Sequence, residues 1–267
     1  MSIKYLSRKV QPLILHIPHA STTIPIRDGY LVGEEILQQE INKLTDWYTD
    51  DLFESSEDIT VKVDFSRIFC DVERFVDDEQ EVMAQYGMGM LYTHTDAGQL
   101  MRKVTPNLRR KILEGYYLPH HQRLESAVQS QLDQFGHALI VDCHSFSEIP
   151  FERDLNKKTP RPDINIGTDA FHTSQALRDL THQFFISQGL SVGLDWPYSG
   201  TIVPMAYYRQ NKRVQSILIE VNRKLYLDAG TCTRILHFNE IKGTLNQYLH
   251  LIRSNVNDIF YPINNES

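Results

Sequence analysis

Two histidines and two carboxylates, widely separated in the chain, stand where strands or an adjoining helix should end: His19, Asp46 (or Asp50), His144 and Glu220. A catalytic zinc takes three protein ligands of these types and keeps a fourth position for water, so two imidazoles and one aspartate make a ligand set. Glu220 lies near the end of the apolar run Val214–Val221, where a charge needs a reason. A carboxylate in that place can take a proton from water and pass it to a departing nitrogen, as general base and then general acid. The chemistry this combination serves is hydrolysis of an amide. The four positions span roughly 200 residues with no HExxH or CxxC pattern to fix them. A histidine after a strand also serves as an ordinary hydrogen-bonding residue, so spacing alone leaves both readings open.

The elements that must position these residues can be read from apolar periodicity. Pro12–Ile17 is a short apolar run that ends at His16-Ile17-Pro18-His19, a buried strand feeding a loop. From Glu34 to Phe53 apolar residues recur at three- and four-residue spacing, which predicts an amphipathic helix or pair of helices with Asp46 and Asp50 on one face. Thr60–Phe65 predicts a strand and Ile68–Val72 another. Within Asp96–Val141, polar turn residues precede a long helical pattern through Leu108, Ile112, Leu124 and Leu132, then the strand Ala138–Val141 with Asp142-Cys143-His144-Ser145 at its exit. Phe151–Asp163 reads as a surface loop, Ser174–Gln188 as a helix, and Gly189–Ser199 as turns leading to Thr201–Val203. Val214–Val221 is the most strand-like segment. Strands alternating with helices predict an α/β fold: a single domain, residues 1–267, with a mixed, mostly parallel central sheet and helices on both faces.

Composition narrows the function classes. The chain has 267 residues, 41% hydrophobic and 23% charged, with a net charge of −7. That balance argues against nucleic-acid binding, which relies on clustered Lys and Arg. Cys70, Cys143 and Cys232 are odd in number and form no CxxC pair, which points to a reducing, cytoplasmic setting. The N-terminal apolar run is interrupted by His16 and Pro18, too short for a signal segment or a membrane span. A small, non-polymeric substrate fits best.

Six segments occurring in order carry a resemblance. They are Pro18-His19-Ala20-Ser21, Thr45-Asp46-Trp47, Phe65-Ser66-Arg67, Asp142-Cys143-His144-Ser145, RPDINIGTD at Arg161–Asp169 and IEVNRKLYLD at Ile219–Asp228. From about Leu13 to Asp228 the chain resembles the N-formylglutamate amidohydrolase family. The resemblance implies a zinc exopeptidase-like fold, akin to zinc carboxypeptidases and peptidoglycan amidases. It further implies one zinc ion held by His19, Asp46 and His144, with Glu220 as the general base. Asp50 is the alternative ligand if the helix register differs. His16 lies within the apolar run and points into the sheet.

An N-acyl amino acid substrate such as N-formylglutamate carries carboxylates, which the fork of donors on Arg matches. Matching family positions assign Arg67 and Arg74 to the substrate; as surface residues they would instead form salt bridges. Relatives that act on N-formylglutamate carry Asn where this chain has Glu73, and an acid there offsets Arg74 and leaves the amino-acid part of the substrate open. Tyr198 and Thr201, in a glycine-bearing turn, can donate to a developing oxyanion. Asp142 and Asp169 can orient ligating imidazoles or cap turns. His120, His121 and Tyr226 read as structural. A carboxypeptidase, a cell-wall amidase and a non-catalytic binder on the same scaffold are the competing functions.

Overall fold

The computed structural model describes residues 11–261. The first ten residues of the expected 1–267 domain, part of its N-terminal stretch among them, and the last six lie outside the described residues. The apolar runs form the strands β1 (Ile14–Ile17), β2 (Ile59–Lys62), β3 (Ala138–Phe146), β4 (Ile164–Gly167), β5 (Val192–Leu194) and β6 (Val214–Asn222), joined in one sheet of order β2-β1-β3-β6-β4-β5. Strands β2, β1, β3 and β6 are mutually parallel, β4 is antiparallel to β6, and β5 is parallel to β4. The sheet is therefore mixed and mostly parallel.

Every residue of β3 and β6 is buried, as expected for strands covered on both faces. Alternation divides their side chains. Leu139, Val141, Cys143, Ile217, Ile219 and Val221 join a core with helices α2 (Thr49–Leu52), α5 (Gln175–Ser187) and α6 (Phe238–Ser254). Ala138, Ile140 and Val214 face α4 (Leu118–Phe135) through Leu124 and Val128. With a period of two, Asp142, His144, Ser216 and Glu220 share that second face. The polar residues are thus carried on the same apolar scaffold, His144 and Glu220 toward the ends of their strands.

Three expected elements differ, the first being Gly189–Ser199, expected as turns, which contains the strand β5. The helical stretch from Glu34 breaks into α1 (Glu34–Leu44) and α2, because Thr45 is extended and Tyr48 is left-handed at φ 61°. Asp46 therefore lies in the break, and the expectation that it shares a helix face with Asp50 is corrected. Ile68–Val72 is not a strand: the Ser66 carbonyl accepts from the backbone N–H groups of Phe69 and Cys70, at 2.9 and 3.2 Å, and winds the segment into a turn. The long helical pattern is α3 (Pro106–Ile112) running through a wider turn at Leu113–Tyr117 into α4. Among the described residues no helix is long and apolar enough to cross a membrane.

Candidate active site

In a parallel sheet, polar side chains at the carboxyl ends of adjacent strands face one crevice. Here β1, β3 and β6 deliver His19, His144 and Glu220 to such an edge, with His144 directly beside Glu220 in register. The break after α1 brings in Asp46, whose backbone N–H donates to the His19 carbonyl at 3.0 Å. Ligand-type atoms of His19, Asp46 and His144 all lie within 4.8 Å of one another. Asp46 Oδ2 is 3.1 Å from His144 Nδ1 and 3.6 Å from His19 Nδ1, while Arg223 Nη2 fixes Oδ1 at 2.9 Å. Asp50 is on the outside, half exposed and paired with Lys62 at 3.2 Å, so the geometry gathers Asp46 and leaves Asp50 out.

The far nitrogens of both imidazoles are held by carboxylates. His19 Nε2 meets Asp71 Oδ1 at 2.9 Å; His144 Nε2 meets Asp142 Oδ1 at 3.1 Å and Glu73 Oε1 at 3.2 Å. Asp142 also holds His16 Nδ1 at 2.7 Å and accepts from the Ile202 N–H at 3.0 Å. His16 is fully buried on the α4 face, where its Nε2 lies 2.9 Å from His120 Nε2. Two further groupings have metal-ligand geometry, His16 with Glu73 and Asp142, and His19 with Asp71 and Glu73. Their close contacts are imidazole–carboxylate hydrogen bonds already made. His19 Nδ1, in contrast, is buried with no partner, as is Glu220 Oε2.

The electrostatics fit a cation among these groups. Burial disfavours charge on His144, yet Glu73, Asp142 and Asp46 raise its pKa well above the ordinary imidazole value. Burial and Arg67 oppose charge on His19, and Asp71 and Asp46 outweigh them. Asp46 is held well below the usual carboxylate range: burial works against it, and His144 and His19 prevail. Carboxylates thus crowd two imidazoles, and a divalent ion would relieve the same excess of negative charge. Glu220 behaves oppositely. Burial, reinforced by Asp46 against His144, Arg223 and Arg67, lifts it from 4.5 to about 8.

These groups open onto a cavity of about 360 Å³, a size suited to a small molecule. Arg67, Arg74, Glu73 and Tyr198 line it. Arg67 grips Asp71 through Nε and Nη2 at 3.2 and 2.9 Å; Arg74 keeps its nearest carboxylate oxygens, on Asp71 and Glu81, at 3.6 and 3.7 Å. The Tyr198 hydroxyl is committed to Asp154 at 3.1 Å, with Arg161 at 3.4 Å, and so braces the loop 147–161. Thr201 does not line the cavity. Its hydroxyl pairs with Ser216 at 2.6 Å, four residues back along β6 from Glu220, or roughly 13 Å at ordinary strand rise. That hydroxyl is thus engaged with β6 and not with the cavity. Asp169 caps a turn, accepting from the N–H groups of Phe171 and His172 at 2.8 and 2.9 Å. Asp71 and Arg223 were not expected from the sequence, although both sit within three residues of motif residues that were.

Known proteins resemble this chain in sequence and fold. The family model described as N-formylglutamate amidohydrolase matches residues 11–227. An N-formylglutamate deformylase of Pseudomonas putida is 26% identical over 231 residues, covering 81% of this chain and 82% of its own. An N-formylglutamate amidohydrolase structure from Ralstonia eutropha JMP134 superposes with a TM-score of 0.81 at 24% identity, over 94% of this chain and 95% of that one. A gene product of Agrobacterium tumefaciens has the same fold, with a TM-score of 0.67 at 16% identity over 94% and 92% of the two chains.

Proposed function

The chain belongs to the N-formylglutamate amidohydrolase family, and from that premise we propose that it hydrolyses the formyl amide of an N-formyl amino acid, N-formylglutamate first among them, with a bound zinc ion. The relatives' names support the reaction class. The observation that carries the reading is the convergence of His19 Nδ1, Asp46 Oδ2 and His144 Nδ1 beside a buried carboxylate with one unpartnered oxygen. His19, Asp46 and His144 would hold the ion, and their two-nitrogen, one-oxygen donor set suits zinc while admitting other divalent metals. When bound, such an ion polarises an acyl carbonyl and acidifies water.

The protein's own groups do the rest. Glu220, raised toward neutrality, takes a proton from water and returns it to the leaving nitrogen, a task that favours a pKa near the working pH. Asp142 accepts from His144 Nε2, so that with an ion bound Nδ1 would be the nitrogen that gives up its proton and its contact with Asp46. Arg74, with no hydrogen-bonded carboxylate of its own, and Arg67 offer guanidinium donors to the substrate's carboxylates. Tyr198 shapes the wall beside them. The three cysteines, none in a disulfide, support a cytoplasmic setting.

The test is release of formate and free amino acid by chelator-treated protein before and after zinc is restored. Equal release of both products, dependent on the metal, is the expected result; zinc-loaded protein that hydrolyses no N-formyl amino acid would refute the reading.

A further inference from the structure

A carboxylate shut away from water must be surrounded by donors, or its charge costs several kcal/mol. Asp71 has no exposed surface and accepts five hydrogen bonds. Its Oδ1 receives His19 Nε2 at 2.9 Å and the Glu73 backbone N–H at 3.1 Å. Its Oδ2 receives both Arg67 donors, at 3.2 and 2.9 Å, and the Tyr92 hydroxyl at 2.9 Å. One oxygen therefore faces a metal-binding imidazole and the other a substrate-binding guanidinium. Asp142 does not duplicate this arrangement: beyond His144 its partners are His16 and the Ile202 N–H, which belong to the body of the fold.

We propose that Asp71 is a positioning residue shared by the two halves of the site. It keeps the His19 proton on Nε2, so that the Nδ1 lone pair points at the ion position, and it aims Arg67 into the cavity. A carboxylate on the far nitrogen of an imidazole also strengthens that imidazole as a ligand. Because both duties fall to one side chain, a change at Asp71 reaches metal binding and substrate binding together. The backbone holds Asp71 in place, since the Asp71 N–H donates to the Met90 carbonyl at 2.8 Å and the Arg74 N–H returns to the Asp71 carbonyl at 3.3 Å. The proposal rests on the reading given above, that His19 holds the ion and Arg67 the substrate.

Two variants test it, Asp71→Asn and Tyr92→Phe. The second keeps every charge and removes only one donor to Oδ2. Zinc affinity is measured on the metal-free proteins by competition with a chromophoric chelator, and KM for N-formylglutamate is measured at saturating zinc. Asp71→Asn is expected to weaken zinc binding about 10- to 100-fold and to raise KM by about tenfold, the loss of one modest charged contact. Tyr92→Phe should move both quantities in the same directions by smaller factors, and it decides the question if Asp71→Asn does not fold. Movement of only one quantity, or a lowered melting temperature with both unmoved, overturns the shared role. A wild type that hydrolyses no N-formyl amino acid overturns the functional reading and the substrate half with it. Normal wild-type turnover with unaltered variants overturns the Asp71 proposal alone.

Discussion

Replacing Glu220 by Gln should make the metal-free protein more stable at high pH while removing activity from the loaded enzyme. Glu220 is 7% exposed with one orphaned carboxyl oxygen, and burial above all raises its pKa from 4.5 to about 8. The sign follows from proton binding. Below pH 4.5 the group is protonated whether the chain is folded or not, and nothing is lost. Between 4.5 and about 8 the folded protein keeps a proton that the unfolded chain releases, so stability falls as pH rises; above about 8 the whole cost stands. At ~1.4 kcal/mol per pH unit the ceiling is about 5 kcal/mol. Gln carries no charge at any pH and abolishes this slope. Chelator-treated wild type and Glu220→Gln should melt at similar temperatures at pH 5 and differ at pH 9 by on the order of 10 °C, the variant being higher. Restoring zinc should narrow the gap, since a divalent ion nearby favours the carboxylate. In the loaded enzyme kcat should fall ~10²- to 10⁴-fold, the usual worth of a positioned base. A variant no more stable than wild type at pH 9 would refute the claim that this carboxylate is held at a cost.

Asp46→Asn should lose bound metal and turnover, whereas Asp50→Asn should keep both, because Asp50 only pairs with Lys62 at the surface; elemental analysis and product assay separate them. Arg74→Met should raise KM for N-formylglutamate roughly 10- to 100-fold through loss of a charge-assisted contact. Glu73→Asn should lower that KM more than the KM for N-formylalanine, since it removes a negative charge from a cavity that receives a second carboxylate. Arg161→Met should cost on the order of 1–3 kcal/mol by removing the charged partner of the part-buried Asp154 at 2.6 Å, which keeps only the Tyr198 hydroxyl and the Phe151 N–H; a lower melting temperature and faster proteolytic cleavage within residues 147–161 would register it.

The ends of β1, β3 and β6 were legible because apolar runs stop abruptly at His19, His144 and Glu220, and a charged residue inside a buried strand has few explanations other than chemistry. Choosing between Asp46 and Asp50 was beyond periodicity. The two lie one helical turn apart, and the break at Thr45 and the left-handed Tyr48 carry no Gly or Pro to announce them. Asp71 was hidden for a related reason: Ile68, Phe69, Cys70 and Val72 around it look like a strand, and its donors come from residues 19, 67 and 92, which only the fold assembles. Arg223 stood in a recognisable motif, but its hold on Asp46 joins residues 177 apart. Gly200 marked the turn before Thr201 without saying how far back along β6 from Glu220 the hydroxyl would meet the strand. The reversed direction of β4 likewise leaves no local trace in its sequence.

That reversal has an architectural consequence. Because β4 runs against β6, its first residue, Ile164, pairs with Val221 near the end of β6, on the edge where β3 finishes at Phe146. The chain between them is therefore a hoop with both feet on the rim of the crevice, clasped by Arg161 and Asp96. A parallel strand in the same place would have obliged the chain to cross to the opposite edge and back. As built, residues 147–160 can lengthen, shorten or change character while the sheet and the four groups at its edge stay where they are, so the mouth of the crevice can be recut for a different guest and leave the machinery beneath it intact.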